Sequence, residues 1–233
     1  MTNFENLKRI FELGRPITQD DSNKYVKFAF RYKLDNYRLI SSGELLIKGN
    51  QQGLHVPQYM KEFINFHGEA VMIANKINDK VVALVLRSIH TKKEFMKIGI
   101  TKSIFYGLGD LSKDFTYGTP IVLVEGHLDR DVFSKLIYNN TLAVTTNKLS
   151  KSQIKVLTSL TDNVILMLDN DDSGQVGISH AIKELRKHNV KTTVLKHLYG
   201  MKDAGDLIEL ERINKQNYMF ALGNYKRAML NNK

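Results

Sequence analysis

The sequence contains no cysteine among its 233 residues. This absence excludes disulfide bonds, thiolate catalysis and every zinc site that depends on cysteine. The seven histidines show neither an HExxH motif nor an H-x-x-x-H spacing, so a histidine-based zinc site is not indicated either. Any metal site in this chain is therefore expected to use oxygen ligands.

Long apolar runs are also missing. No stretch reaches the roughly 18 consecutive apolar residues of a membrane-spanning helix. Residues 1–14, "MTNFENLKRIFELG", carry charges where a signal peptide would have its apolar region. The sequence thus predicts a cytoplasmic protein without a membrane anchor.

The chain is strongly basic. Its 34 Lys and Arg residues against 24 Asp and Glu residues give a formal net charge of +10, and the sequence pI is about 9.5. A charge of this sign and size indicates binding to a polyanion, with nucleic acid as the leading candidate. A membrane surface is the weaker alternative, because no segment has the pattern of a long basic amphipathic helix.

One basic segment lies near the N-terminus. In "YVKFAFRYKL", residues 25–34, apolar and basic residues alternate, which predicts a strand with one buried and one basic face. The basic residues Lys27, Arg31 and Lys33 then become candidate nucleic-acid contacts. The aromatic residues could instead stack on single-stranded bases, but strict alternation favours a core role. Residues 35–53 predict a further hairpin with turns at "SSG" and "GNQQG".

The second half alternates between short apolar runs and helical patterns. The apolar runs "TPIVLVEG", "TLAVTT", "NVILMLD" and "KTTVLKHL" predict four strands joined by helices, which is typical of a parallel α/β sheet flanked by helices. We predict this domain over residues 119–206. Residues 1–118 are predicted to form a smaller basic α+β subdomain. Residues 207–233 are predicted to form a helical tail, with a pair of short helices over residues 214–233.

Acidic residues follow three of the four predicted strands. Glu125 follows the first, Asp169 and Asp171 follow the third, and Asp203 and Asp206 follow the fourth. Ligands of parallel sheets bind beyond the carboxyl ends of the strands, and clustered carboxylates need a cation. The pattern predicts a Mg²⁺ or Mn²⁺ site for phosphoryl chemistry. Taken singly, these acids could also be turn or helix-capping residues.

Three segments resemble a known family. "VEGHLDRDVF", "ILMLDNDDSG" and "KDAGDL" resemble the Toprim pattern, and most of all that of bacterial and phage DNA primases. The resemblance implies that Glu125 is an acid/base or metal-organising residue, that Asp129 is the second acid of the first motif, and that Asp169 and Asp171 bind metal. Without it, Asp129 would be interpreted as a first-turn helix acid.

The third motif departs from the family pattern. Lys202 and Asp203 match it, with Lys202 as an implied nucleic-acid contact. Gly205 stands where cellular primases usually carry an acid, and Asp206 follows one place later. This departure resembles the phage primase-helicases, and it leaves the role of Asp206 open between metal binding and capping of the next helix.

The first half resembles the RNA-polymerase core of primases. "GEAVMIANKINDKVVALVLRSI" predicts two strands around a turn, and "ITKSIFYGL" follows it. Arg87 and Lys102 fall at the positions where the family carries an arginine and a lysine. The resemblance implies that they contact nucleotide phosphates or template; otherwise they would be ordinary surface charges.

The resemblance implies an enzyme that synthesises RNA primers on single-stranded DNA from ribonucleoside triphosphates. Neither a zinc module nor a P-loop helicase motif is present, so the chain resembles an isolated, phage-like catalytic core. Its expected partners are a replicative helicase or a separate zinc-containing template-recognition protein. A Toprim nuclease and a non-catalytic nucleic-acid-binding subunit remain the alternatives, and a topoisomerase is not favoured.

Overall fold

The computed structural model describes residues 3–21, 23–90, 94–100, 103–146 and 148–232. The chain divides into two compact units, residues 1–101 and 102–233. The boundaries at residues 118 and 206 remain predictions. In the described part of the chain, no helix has both the length and the apolar character needed to cross a membrane.

The described residues of the first unit form four α-helices and an antiparallel sheet. The helices are α1 (Asn3–Leu13), α2 (Lys24–Arg31), the short α3 (Gly49–Gln51) and α4 (Gln58–His67). The strands are β1 (Tyr37–Ile40), β2 (Ala70–Ile77), β3 (Lys80–Ser88) and β4 (Glu94–Gly99), which pair in the order β1-β2-β3-β4. The core is built around apolar side chains of α1, α4, β2 and β3.

The hairpin predicted from residues 68–89 is confirmed. β2 and β3 pair antiparallel, and the turn between them consists of Asn78 and Asp79, both with positive φ. Two consecutive residues with positive φ match the right-handed twist of the flanking strands. Asn and Asp tolerate this backbone conformation better than other side chains do.

The strand predicted over residues 25–34 is wrong, because these residues contain helix α2. Val26 and Ala29 are buried one turn apart, and the rings of Phe28 and Tyr32 lie 4.5 Å apart at helical spacing. Phe30, which the alternation placed in the core, is 44% exposed. Phe28 and Tyr32, four residues apart, satisfy the helical period as well as the strand period, and the small buried Ala29 completes the helical face.

The hairpin predicted over residues 35–53 is also wrong. Only β1 is a strand, and its partner is β2, about 30 residues later in the sequence. A π-helical turn, Glu44–Lys48, follows β1. Ser41 and Glu44 begin it with reciprocal bonds: the Ser41 backbone amide donates to Glu44 Oε2, and the Glu44 amide donates to Ser41 Oγ. This S-x-x-E capping box favours a helical turn over a second strand.

The second unit contains a parallel sheet. Its strands are β5 (Ile121–Val124), β6 (Thr141–Ala143), β7 (Asn163–Leu166) and β8 (Lys191–Val194), in the order β6-β5-β7-β8. The connecting helices are α5 (His127–Leu136), α6 (Lys151–Leu160) and α7 (Asp172–Arg186). All three strand pairings are parallel, so the predicted α/β fold with a parallel sheet flanked by helices is confirmed.

The C-terminal region is helical. It comprises α8 (Leu207–Ile213) and α9 (Lys215–Asn231). The two short helices predicted after residue 213 are instead one helix of 17 residues. Tyr218, Ala221 and Tyr225 are buried at spacings of three and four along one face of it, which keeps the whole segment helical.

Candidate active site

The direction in which strands are added to the parallel sheet reverses between β5 and β7. β5 lies beside β7, whereas the connection from β5 leads to β6 on one side and that from β7 leads to β8 on the other. Such a reversal opens a crevice beyond the carboxyl ends of the two strands, and ligands of parallel sheets bind there. Glu125 follows β5 directly, and Asp169 follows β7 after two buried residues.

Glu125 is partly buried. Burial, and then the negative charges of Asp169 and Asp171, raise the pKa of its carboxyl to about 7. Its Oε2 atom is inaccessible to solvent and has no hydrogen-bond partner in the described residues. A buried carboxylate oxygen without a donor is unfavourable unless a proton or a cation binds to it.

Asp129 joins the first motif to the third. Its Oδ2 accepts a hydrogen bond from the Gly126 amide at 2.9 Å, and its Oδ1 accepts one from the Gly205 amide at 2.9 Å. Burial, followed by the charges of Asp203 and Asp169, raises the pKa of Asp129 well above its ordinary value. This residue therefore holds the loop of the third motif against the N-terminus of α5.

Gly205 is the position where the third motif departs from the family pattern. A Cβ atom there would lie 2.9 Å from Asp129 Oδ1 and 3.1 Å from Asp203 Oδ1. Both distances are too short for an added side chain without movement of the neighbouring carboxylates. The glycine thus permits the close approach of its amide to Asp129.

Asp169 and Asp171 differ in their surroundings. Burial, and then Asp203, raise the pKa of Asp169. Asp171 is the N-cap of α7: its Oδ1 accepts a hydrogen bond from the Gly174 amide at 2.9 Å. This bond, and then the ammonium of Lys202, lower the pKa of Asp171. Asp171 is therefore ionised at neutral pH.

A steric constraint explains why the segment "DNDDSG" ends in glycine. A Cβ atom on Gly174 would lie 1.9 Å from the main-chain oxygen of Asp169. Any other residue would force the start of α7 away from the loop after β7. The glycine thus keeps Asp169 and Asp171 in one tight turn.

The loop of the third motif is organised by its own acids. Asp203 Oδ1 accepts a hydrogen bond from the Asp206 amide at 3.0 Å, and Asp206 Oδ2 accepts one from the Lys202 amide at 2.8 Å. Asp206 would therefore have to leave a backbone hydrogen bond to reach a cation, whereas Asp203 influences the pKa values of both Asp129 and Asp169.

The carboxylates are near one another but are not assembled as a metal cage. In the part of the chain that the structure describes, no three acidic or histidine side chains converge closely enough to hold a metal ion. The Lys202 Nζ atom lies 3.0 Å from Asp171 Oδ2 and 3.6 Å from Asp169 Oδ2. In donor chemistry the cluster fits a hard divalent cation, because it offers carboxylate oxygens that include the unpartnered Oε2 of Glu125.

The remaining candidates lie elsewhere. Arg87 is in β3 of the first unit, opposite Val71 of β2 and Glu94 of β4. Lys102 lies outside the described residues. Lys27 and Arg31 are exposed and one turn apart on α2, and Lys33 follows the helix with φ of 50°. Helix α2 therefore presents Lys27 and Arg31 on a helical face and not on the strand face that the sequence suggested.

The structure contains a buried polar network that the sequence analysis did not predict. Asp131 is 1% exposed and accepts hydrogen bonds from the Tyr106 hydroxyl at 2.7 Å and from Arg130 Nη1 at 2.8 Å. Arg130 also donates to the Thr141 carbonyl oxygen and pairs with Asp110 at 3.0 Å. These bonds attach the segment around Tyr106 to α5 and β6.

The position of Asp131 among the apolar residues of α5 could have indicated this network. Asp131 follows Leu128 by three positions and precedes Val132, so it falls on the apolar face of α5. An acid on that face must be buried with a partner, and the adjacent Arg130 is one. His127 is 3% exposed and packs edge-on against Tyr106.

The family comparison concerns the second unit. Residues 122–208 match the family model described as Toprim-like. These residues form a Toprim-like domain. The predicted resemblance to the Toprim pattern is thereby confirmed, and the three segments "VEGHLDRDVF", "ILMLDNDDSG" and "KDAGDL" all lie within the matched region. No curated protein matches the sequence.

Several solved structures share the fold over nearly the whole chain. The zinc-binding and RNA polymerase domains of the Aquifex aeolicus primase match with a TM-score of 0.64 and 18% identity, over 95% of this chain and 60% of that one. The E. coli primase catalytic core gives 0.60 and 15%, over 99% and 83%. A DnaG primase catalytic domain bound to single-stranded DNA gives 0.60 and 14%, over 95% and 80%.

These matches establish the fold of a primase catalytic core around the Toprim-like domain. They cover the first unit as well as the second, since 95–99% of this chain is aligned. The chain spans only 60% of the Aquifex aeolicus chain.

Proposed function

We propose that this protein is a DNA primase catalytic core that synthesises short RNA primers on a single-stranded DNA template. The observation that carries the proposal is the coincidence of two features. Carboxylates gather beyond β5 and β7 of a Toprim-like domain, and the primase-core fold extends over the first unit too. A Toprim nuclease would account for the first feature but not for the second.

The proposed reaction is the attack of a primer 3′-hydroxyl on the α-phosphate of a ribonucleoside triphosphate. It forms a phosphodiester bond, breaks the bond between the α- and β-phosphates and releases pyrophosphate. Glu125, with a pKa of about 7, is suited to accept or release a proton near neutral pH, as a general base requires. Asp129 would act mainly by position, since its two oxygens hold Gly126 and Gly205. Arg87 and Lys102 would neutralise the triphosphate, as the primase resemblance implies.

The proposed metal ligands are Asp169, Asp171 and Asp203, with Glu125 completing or organising the set. Bound Mg²⁺ or Mn²⁺ would supply charge neutralisation for the phosphoryl transfer. Asp206 could join only after releasing the Lys202 amide. The cluster contains oxygen donors alone, which suits these ions better than zinc.

The proposed template contacts are basic residues of the first unit. Lys27 and Arg31 on α2, together with Lys33, are exposed and would bind DNA phosphates electrostatically. The solved DnaG domain bound to single-stranded DNA supports this choice of substrate. A replicative helicase or a zinc-containing template-recognition protein would be the partner, as the resemblance to primases implies.

The test is a synthesis assay with single-stranded DNA, labelled ribonucleotides and Mg²⁺ or Mn²⁺, analysed on a sizing gel. We expect short labelled RNA that requires both template and metal. Shortening of the DNA without labelled RNA would identify a nuclease instead. If neither occurs with the full chain, alone or with added helicase, and DNA still binds, the non-catalytic binding subunit would be the correct interpretation.

A further inference from the structure

Two hydrogen bonds hold the main chain of Lys202 beside the acidic cluster. Its amide donates to Asp206 Oδ2 at 2.8 Å, and its carbonyl oxygen accepts a hydrogen bond from the Asn170 amide at 2.7 Å. Asn170 lies between Asp169 and Asp171. The two bonds attach Lys202 both to its own loop and to the loop after β7, so its side chain begins next to the two aspartates.

The ammonium of Lys202 lies between the two carboxylates. Its distances are 3.0 Å to Asp171 Oδ2 and 3.6 Å to Asp169 Oδ2. The other oxygen of Asp171 accepts the Gly174 amide at 2.9 Å, so its Oδ2 is the oxygen left to face a cation. One positive group thus contacts one oxygen of each aspartate, and the same two carboxylates would hold a divalent cation.

We propose that Lys202 is the resident counter-ion of Asp169 and Asp171 in the metal-free protein, and that its ammonium competes with the divalent cation for the same two oxygens. The inference rests on the metal-binding part of the proposed function and is independent of primer synthesis. When the cation enters, the ammonium leaves the two oxygens and becomes available to a phosphate group beside them. The carboxylates then never face one another without a positive charge.

The exchange predicts opposite effects on two properties. Without the ammonium, Asp169 and Asp171 repel each other in the metal-free protein, which should lower its melting temperature. The same change removes both a competitor and a like charge next to the divalent cation, which should strengthen metal binding. A lysine that merely supported the loop would weaken metal binding when replaced.

Calorimetric titration with Mn²⁺ at low ionic strength tests the proposal, because it needs no activity. We expect Lys202→Gln to bind Mn²⁺ at least about fivefold more tightly than wild type, the factor expected for one solvent-exposed charge at this distance. Lys202→Arg, which keeps the charge, should remain close to wild type. Lys187→Gln is the matched control. Lys187 directly follows α7 and pairs with Glu184 at 2.6 Å at the surface, so its replacement should leave Mn²⁺ binding unchanged.

A second measurement separates competition from loss of structure. The melting temperature of Lys202→Gln should be below that of wild type without metal and should rise more on addition of Mn²⁺. Titration with a triphosphate in the presence of Mn²⁺ should show weaker nucleotide binding by this variant. The nucleotide itself chelates Mn²⁺, so saturating metal is required.

The outcomes distinguish the two proposals. Equal or weaker Mn²⁺ binding by folded Lys202→Gln overturns the competition proposal and leaves the metal site intact. Absence of Mn²⁺ binding by wild type, or binding that Asp169→Asn does not affect, overturns the metal role on which both proposals depend. Normal Mn²⁺ results together with absent primer synthesis would contradict only the enzymatic part of the proposed function.

Discussion

The two units place their polar residues in different ways. In the second unit, the parallel strands β5 and β7 end at the same edge of the sheet, and acids from segments about 40 residues apart meet there. In the first unit, antiparallel neighbours run in opposite directions, and the exposed basic residues of α2 lie outside the sheet. Parallel topology collects side chains at one edge, whereas antiparallel topology distributes strand ends over both edges.

Because of this difference, the two units can contribute to a reaction in different ways. The second unit can concentrate charge until pKa values shift, as they do at Glu125, Asp129 and Asp169. The first unit presents separate cations that suit binding to a polyanion. If the proposed function is correct, substitutions in the second unit should affect chemistry, and most of those in the first should affect binding.

The largest effect is expected at Asp169. Asp169→Asn should lower primer synthesis by at least about a thousandfold, since loss of a metal-binding carboxylate removes several kcal/mol of transition-state stabilisation. DNA binding and folding should remain, because removing one carboxylate also relieves repulsion in the cluster. Asp172→Asn, a change of the exposed acid in the first turn of α7, is the matched control. Wild-type synthesis by the Asp169 variant would refute the assignment.

The next effect concerns stability of the second unit. Arg130→Met should cost about 3–5 kcal/mol, because it leaves Asp131 buried without its cationic partner. For a chain of this size this corresponds to a fall in Tm of roughly 6–20 °C. Arg212→Met, which removes an exposed pair with Glu209, should change Tm by little. Equal shifts for the two variants, measured by circular dichroism, would show that the buried network is not stabilising.

Arg87 tests whether the first unit takes part in chemistry. Arg87→Ala should raise the nucleotide KM or lower kcat at least about tenfold, equal to about 1.4 kcal/mol of transition-state stabilisation. Binding of unprimed single-stranded DNA should change far less, because it depends on many other charges. Lys80→Ala, at the exposed start of the same strand, is the control.

The opposite result at Arg87 would also be informative. A uniform loss of DNA affinity with unchanged nucleotide kinetics would make Arg87 a template contact, as suits a unit that only binds. No effect on either property would confine the reaction to the second unit.

Glu125 should make stability of the metal-free protein depend on pH. Its folded pKa of about 7 exceeds the unfolded value, so the native state binds more protons and stability falls as pH rises from about 4.5 to 7. Glu125→Gln should remove this fall and raise Tm at pH 8 by about 2–4 °C, after discounting for partial exposure. Thermal melts from pH 5 to 8, with Glu62→Gln as control, measure the difference, and parallel curves would contradict it.

The smallest effect is expected on α2. Lys27→Ala should weaken binding to single-stranded DNA slightly and reduce the slope of log K against log salt by about 0.7, the loss of one phosphate contact. Lys8→Ala on α1, where Lys8 pairs with Glu12 at 3.9 Å, should leave the slope unchanged. Identical slopes for wild type and Lys27→Ala in fluorescence anisotropy would remove α2 from the proposed DNA surface.

The sequence of the second unit predicts its secondary structure more clearly than that of the first, for a physical reason. Each βαβ repeat changes from a run of buried residues to a helical period, and each change is marked by an acid, a glycine or a capping residue such as Ser150. In the first unit, α2 has only eight residues. Over such a length, the aromatic residues at positions 28 and 32 fit either period, and packing decides between them.

The order of residues along the chain determined the parallel sheet, the oxygen-only character of any metal site and the positions of the acids beyond the strands. These properties follow from periodicity and composition, which are local. Tertiary structure alone decided which atoms meet. Asp129 holds Gly205 across 76 positions, and Lys202 occupies the space between Asp169 and Asp171. Contacts between distant segments depend on strand order and loop packing, and neither leaves a periodic signal in the sequence.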